Sequence, residues 1–340
     1  MTMGARLFQP VPELALQGRD GEVRLSSFRG RYLVLYFFPK AGTPGCTREA
    51  QDFTSLLPEF SRLDAQVVGV SRDGPEAQAR FVDKYGLKVT MLSDPQGEVH
   101  RAFGALKEGG GAQRSTFLID RVGVLRYRWP KVRVEGHAQE VLTMLRALYE
   151  ADQQVNPLIQ ARRARRALAN RPVPESAILA LLEAAHLAPS CFNNQPWRLV
   201  VATGEALEEL KEALTGGNYW ARRAPAMVAV ASQRDLDCKL SDGRDYFLFG
   251  CGMAVGFLML QATQLGLIAH PIAGYDPAKA KEALGIPDDY VLITLVVLGW
   301  PGDPAVLSDK HRELESSPRD RKPLSEVAFW NRFGQGMEVE

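Results

Sequence analysis

Cys46 stands where a thiol is easiest to ionise. The run Pro39-Lys40-Ala41-Gly42-Thr43-Pro44-Gly45-Cys46 follows the apolar segment Tyr32–Phe38 and opens a helical pattern that continues to Leu63. This order predicts a strand, a turn stiffened by two prolines, and a helix whose first turn holds Cys46. Unpaired backbone N–H groups and the positive end of the helix dipole there favour the thiolate, the form that attacks peroxide oxygen or disulfide sulfur. Free cysteines are usually small buried packing residues. The threonine three positions earlier, the two prolines and the strand-to-helix junction set Cys46 apart from that background.

Other chemistry-bearing residues collect in the second half. Arg162-Arg163-Ala164-Arg165-Arg166, read alone, is a solvated face or a nucleic-acid patch. In Pro189-Ser190-Cys191-Phe192-Asn193-Asn194-Gln195-Pro196, the asparagine and glutamine read alone are turn chemistry before a proline, and Gly274 alone is a loop glycine. The four cysteines, at 46, 191, 238 and 251, are too few and too widely spaced for a disulfide framework or a Cys-x-x-Cys metal site. Their reactivity is therefore expected to be individual, and no metal ligand set is expected. Cys251 falls in an apolar helical stretch and reads as core, whereas Cys238, in the polar stretch 234–244, reads as exposed.

Apolar and helical segments alternate along the first half: Tyr32–Phe38, the helix from Cys46, Ala65–Ser71, a helix near Pro75–Tyr85, and Val89–Leu92. Alternation of this kind implies a sheet with parallel strands. Ser115–Asp120 and Val124–Trp129, joined at Arg121-Val122-Gly123, predict a β-hairpin, and His137–Tyr149 has helical spacing. Together they predict a thioredoxin-like domain. The glycine-rich stretch 104–111 lacks a Gly-x-Gly-x-x-Gly after a strand, so it reads as a mobile loop rather than a phosphate cradle. In the second half Tyr246–Leu267 is apolar on nearly all sides and interrupted by Gly250, Gly252 and Gly256, which predicts a central helix packed against another backbone.

With 340 residues, 46% of them apolar, the chain has material for two cores. A polar stretch at 151–156 before Pro157 reads as a short linker between domains at 1–150 and 157–340. A formal net charge of +1 supplies no field that would draw the whole protein to nucleic acid or anionic lipid, so small molecules and proteins are the expected partners. Apolar runs such as Val291–Trp300 fall short of the ~20 residues that span a bilayer, and the first residues lack a basic-then-apolar leader. The expected location is cytoplasmic, with no membrane association.

Residues 1–150 resemble a peroxiredoxin of the bacterioferritin-comigratory (Q-type) group, whose motif Pro-x-x-x-Thr-x-x-Cys is met by Pro39, Thr43 and Cys46. The resemblance implies reduction of hydrogen peroxide and organic hydroperoxides by Cys46, which becomes a sulfenic acid. It also implies that the Thr43 hydroxyl contacts thiolate and peroxide, and that the Pro39 ring shields the nucleophile. Arg114, opening the strand Ser115–Asp120, matches the arginine that adds a fixed positive charge; Glu49, one turn along from Cys46, reads either as a group that orients an arginine or, equally, as a helix N-terminal acid. The chain departs from this group at Gln51, where a resolving cysteine is usual. Reductant must then come from outside the domain, with an external glutaredoxin or thioredoxin expected.

Residues 157–340 resemble the FMN-dependent nitroreductase family over nearly their whole length, through the arginine run, the 185–198 segment, Ala269–Tyr275, and the tail Arg321-Lys322-Pro323-Leu324. The fold implied is an α+β dimeric flavin fold, so the whole chain is expected to combine α/β and α+β domains. Under that resemblance Arg162, Arg163, Arg166 and Arg321 bracket the FMN phosphate, while Ala164 replaces a usual serine and removes one hydroxyl contact. Pro189, Ser190, Cys191, Asn193 and Gln195 face the ribityl chain and pyrimidine edge, Asn218 the ring's polar edge, and Ala273 and Gly274 the hydride-accepting N5. NAD(P)H is the expected electron donor, and the central helix the expected homodimer interface. Three alternatives stay open: direct transfer from FMN to Cys46, with Cys191 as a candidate relay; a redox sensor in which Cys46 oxidation alters a partner interaction; and a scaffold that binds FMN without turnover.

Overall fold

A computed structural model describes residues 4–336 of the chain; residues 1–3 and 337–340, inside the expected domain ranges, lie outside the described residues. The chain divides into two compact units, Met1–Gln154 and Val155–Glu340.

The N-terminal unit is built on a seven-stranded sheet. Its strands are β1 (Ala15–Gly18), β2 (Gly21–Arg24), β3 (Tyr32–Phe37), β4 (Ala65–Ser71), β5 (Thr90–Ser93), β6 (Ser115–Ile119) and β7 (Leu125–Trp129), in the order β2-β1-β5-β4-β3-β6-β7. Strand β3 runs parallel to β4 and antiparallel to β6, so Phe37 lies opposite Val70 on one side and Ser115 on the other. All six residues of β3 are buried, as expected for a central strand covered on both faces. Tyr32, Val34, Tyr36 and Phe38 pack with Phe53 and Phe60 of α1 (Pro44–Arg62) and with Val141, Leu142 and Leu145 of α4 (His137–Asp152). Leu33, Leu35 and Phe37 point the other way, toward Leu16, Phe28, Val99 and Phe117. The remaining helices are α2 (Pro75–Tyr85) and the short α3 (Glu98–Ala102).

The thioredoxin-like fold and the 115–129 hairpin stand as the sequence predicts. The β1–β2 hairpin does not emerge from periodicity, because Ala15–Gly18 and Gly21–Arg24 are only four residues each, and β2, at the sheet edge, buries no residue. One other expectation changes. Helix α4 runs through to Asp152, beyond the expected boundary, because the Tyr32 hydroxyl donates to Asp152 Oδ2 at 2.7 Å and ties down its last turn. The glycine-rich stretch is a loop, as the sequence reads, and hydrogen bonds close its turn: Lys107 N–H donates to Gly111 O at 2.8 Å, and Arg72 Nη1 donates to Gly110 O at 2.9 Å.

The C-terminal unit has a four-stranded antiparallel sheet of β8 (Arg198–Ala202), β9 (Ala226–Ser232), β10 (Ile268–Ile272) and β11 (Val291–Gly299), ordered β10-β11-β9-β8. Its helices are α5 (Pro157–Ala161), α6 (Glu175–His186), α7 (Gly204–Lys211), α8 (Phe247–Gln264), α9 (Pro277–Leu284), α10 (Asp309–Ser316) and α11 (Leu324–Val327). Ala226, Val228 and Val230 of β9 pack under α6 and α8, and Met227, Ala229 and Ala231 pack against α7, α9 and Trp220. Among the described residues α8 alone is long and apolar enough, by length and composition, to cross a membrane, yet Cys251, Ala254, Leu258 and Ala262 face this core.

Gly69 of β4 tests how tightly the strand that leads to Cys46 is held. A Cβ there would lie 2.6 Å from Cζ and Oη of Tyr36 and 2.7 Å from Met91 Sδ, all in one core. Gly69→Ala is expected to destabilise the N-terminal unit by about 1–3 kcal/mol, the usual range for overpacking. A lower denaturant midpoint for that unit's transition checks it, and an unchanged midpoint refutes it.

Candidate functional site

The strand-to-helix junction places Cys46 as the third residue of α1, after Pro44 at the first helical position, with Thr43 in the extended conformation that precedes the helix. Cys46 is 1% exposed. Strand β6 begins one residue after Arg114, so the β3–β6 pairing carries that guanidinium across to the helix start. Arg114 Nη2 donates to Cys46 Sγ at 3.1 Å, and Nη1 donates to Glu49 Oε2. The guanidinium passes over Gly45, where a Cβ would stand 3.5 Å from Nη2.

Glu49 is also 1% exposed, and its Oε1 has no hydrogen-bond partner among the described residues. Burial pushes its carboxyl up to about 7, against the charge and hydrogen bond of Arg114. Burial pulls Arg114 down, but the Glu49 charge and the bonds to Cys46 and Glu49 outweigh it and hold the guanidinium above its ordinary value. A fixed positive charge 3.1 Å from the sulfur suits a thiolate and an oxygen gaining charge beside it.

Thr43 differs from expectation. Its hydroxyl donates to Lys40 O at 3.1 Å, which closes the turn, and its carbonyl accepts from Thr47 N–H at 2.9 Å. Pro39 is exposed at the end of β3. The same turn is pinned from the other side by Asp73, whose Oδ2 accepts from Ala41 N–H at 2.7 Å.

A second candidate site lies in the C-terminal unit. Arg162, at the end of α5, is held below its ordinary pKa by burial and by the charges of Arg319, Arg321 and Arg163. Arg319 donates through Nη2 to Arg162 O and, at 2.9 Å, to Gln160 O, so the tail is bound to α5 through the backbone. Arg163 donates to Ser317 O at 2.6 Å. Arg166 lies over the Trp220 ring, 6.0 Å from its centroid, and Ala164 is exposed. Arg319 was not among the expected residues, although the run Arg319-Asp320-Arg321-Lys322 carries the signal.

The Gly274 carbonyl accepts from Asn218 Nδ2 and Thr215 Oγ1, both at 2.8 Å, joining two segments that are 56 residues apart. A Cβ on Gly274 would stand 2.6 Å from Asn218 Nδ2 and 2.8 Å from Thr215 Oγ1, so both side chains would have to shift to admit one. Ala273 is exposed beside it. In the 189–195 segment the Ser190 hydroxyl accepts from Gln195 N–H at 2.9 Å, and Gln195 Nε2 donates to Asn193 O at 2.9 Å. Phe192, Asn193 and Gln195 all have left-handed backbones, φ 44°, 58° and 50°, and Phe192 is 93% exposed.

The cysteine expectation is overturned here. Cys191 and Cys238 form a disulfide across 47 residues of sequence, so neither is individually reactive. Cys238 is half-buried rather than exposed, because the loop after β9 folds back onto the 190–194 segment. Cys251 is core as expected, and burial pushes its thiol up to about 11.

The AhpC/TSA family matches residues 8–128, and the Nitroreductase family matches residues 159–218 and 212–300. Peroxiredoxin Bcp of Bacillus subtilis (strain 168) is 42% identical over 156 residues, 44% of this chain and 99% of that protein. The chain belongs to the peroxiredoxins and carries a nitroreductase-family domain behind them. Peroxiredoxin Bcp of Xanthomonas campestris pv. campestris is 41% identical over 141 residues, 39% of this chain and 88% of that one. Among solved structures, Xanthomonas campestris Peroxiredoxin Q is 40% identical and covers 40% of this chain and 91% of its own, with a TM-score of 0.39. A structure described as an oxidoreductase containing FMN is 35% identical, covers 54% of this chain and 94% of its own, and has a TM-score of 0.49. Both halves of this peroxiredoxin fusion are of oxidoreductase families, which makes it an oxidoreductase enzyme.

Glu49→Gln keeps the side-chain shape and removes its ionisation. The rate of Cys46 with hydrogen peroxide is expected to rise with pH through about 7 as Glu49 ionises and locks Arg114. The variant should lose that inflection and react about tenfold more slowly at pH 8, a loss of one tightly held charge pair. The folded state binds the Glu49 proton more tightly than the unfolded chain. Its contribution to stability is therefore present below about 4.5 and lost as pH rises through about 7. An inflection that survives in the variant refutes the assignment.

Proposed function

We propose that the N-terminal unit is a thiol peroxidase for hydrogen peroxide and organic hydroperoxides, and that the C-terminal unit is an FMN-dependent NAD(P)H oxidoreductase. The observation that carries the first reading is the Arg114 guanidinium bonded to Cys46 Sγ and Glu49. The Cys46 thiolate attacks the near oxygen of the peroxide, the O–O bond breaks, and the leaving oxygen departs as hydroxide or alkoxide and takes a proton. Sulfur loses two electrons and becomes a sulfenic acid. Arg114 offers its charge where that oxygen and sulfur exchange electrons, Thr43 shapes the turn, and Pro39 stands at its rim.

Gln51 is exposed on α1, and no other cysteine occurs before residue 191. We assign the reduction of the sulfenic acid to an external protein dithiol, glutaredoxin or thioredoxin. It supplies two thiols, becomes a disulfide, and releases water as Cys46 returns to the thiol.

The residues of the C-terminal unit fit FMN. Arg162, Arg163, Arg319 and Arg321 crowd like charges that a phosphate dianion would relieve, with Arg166 alongside. Ser190, Asn193, Gln195 and Asn218 offer hydroxyl and amide groups for the polar parts of a flavin, and Ala273 and Gly274 present backbone to its N5 region. Bound there, FMN would supply hydride acceptance from NAD(P)H. A homodimer through α8 is supported by the open space over Gly252 and Gly256 and by exposed Leu248, Phe249 and Phe257 on that helix.

Two variants separate the readings. Cys46→Ser is expected to lower dithiol-dependent peroxide removal by at least a hundredfold and leave flavin content unchanged. More than a tenth of the parent rate remaining would remove Cys46 from the mechanism. Arg162→Ala with Arg321→Ala is expected to release FMN while peroxide removal persists; stoichiometric flavin in that double variant refutes the phosphate site.

A further inference from the structure

Beside the Cys191–Cys238 disulfide lies a buried carboxylate with one oxygen unpartnered among the described residues. Asp237 is 7% exposed; its Oδ1 accepts from Asn194 Nδ2 at 3.3 Å, and its Oδ2 is buried with no partner among the described residues. The neighbouring cations are committed elsewhere, Arg234 to Asp245 at 2.5 Å and Lys239 to Asp235 at 2.9 Å. A buried carboxyl oxygen without a hydrogen-bond partner is costly, which points to a ligand that the protein's own side chains do not supply. The ligand atoms of Cys191, Asp237 and Cys238 all lie within 4.8 Å of one another.

We propose that opening this disulfide creates a site for a thiophilic divalent cation such as zinc, held by Cys191 Sγ, Cys238 Sγ and the Asp237 carboxylate. A dithiol reductant delivers two electrons and two protons to the S–S bond and becomes a disulfide itself, leaving two thiols. Cation binding releases both thiol protons, so two thiolates and one carboxylate surround the metal. Three negative groups brought this close repel unless a cation sits between them. Thiolate and carboxylate oxygen are established zinc donors, and three protein ligands leave a fourth position open. Both cysteines are half-buried, within reach of reductant and metal. Cys191 also lies in the loop of Ser190, Asn193 and Gln195, so the cation cross-links under reducing conditions the loop that the disulfide cross-links under oxidising ones.

The test uses the full chain, reduced anaerobically with a phosphine, desalted, dialysed against zinc and assayed for metal by mass spectrometry. One zinc per chain is expected in the reduced protein and none in the oxidised one. Cys191→Ser and Cys238→Ser should abolish uptake, Asp237→Asn should weaken it at least tenfold, and Cys251→Ala should retain it. A reduced protein without zinc, uptake that survives Cys191→Ser, or an Asp237→Asn protein that binds as tightly as the parent overturns the proposal. Alkylation of the reduced parent needs no substitution: zinc is expected to protect Cys191 and Cys238 from iodoacetamide, and equal labelling with and without zinc overturns the site.

Discussion

The N-terminal unit is organised around a positive charge held against a buried sulfur. Arg114 holds its guanidinium 3.1 Å from Cys46 Sγ while its other branch is bonded to Glu49. A buried charge needs a partner, and here a single carboxylate both neutralises the arginine and aims it. The carboxylate is itself strained by burial, as its raised pKa records. Cys46, Glu49 and Arg114 thus form one electrostatic unit whose members make sense only together.

That unit explains what the rest of the fold must do. The pairing of β3 with β6 brings residue 114 to the start of α1, and the parallel β3–β4 pairing sets the end of the strand from which the Pro39–Gly45 turn departs. Asp73 and the Thr43 hydroxyl close the turn with hydrogen bonds to its backbone. The aromatic core behind it, with Tyr36 stacked on Phe53 at 4.7 Å, leaves little room for the helix start to shift. Rigidity at Cys46 is therefore a consequence of sheet register and core packing rather than of the motif alone.

The C-terminal unit shows the opposite electrostatic arrangement. Its arginines are gathered around α5 and the tail by backbone carbonyls, with Arg319 bound to Gln160 and Arg162, so like charges are brought close instead of being paired. Around Asp237 the sign is reversed, with a carboxylate oxygen left without a donor beside two sulfurs. Both arrangements store unfavourable electrostatics that an oppositely charged ligand can relieve.

Local signals carried much of this protein into the sequence. The continuous apolar run of β3, the proline turn and the helical spacing after Cys46 mark the thiol's position, because strand and helix formation depend on neighbours within a few residues. The long apolar α8 and the β6–β7 hairpin are legible for the same reason. Legibility ended where the partner was remote. Nothing near Cys191 in sequence announces Cys238, 47 residues on, and a spacing argument points away from a disulfide that chain folding makes. Arg319 joined the arginine cluster through backbone carbonyls some 160 residues earlier, and Thr43 turned its hydroxyl to Lys40. Residue types and short-range order determined which chemistry was available, whereas tertiary structure decided which groups meet, because charge pairing and cross-linking act through space.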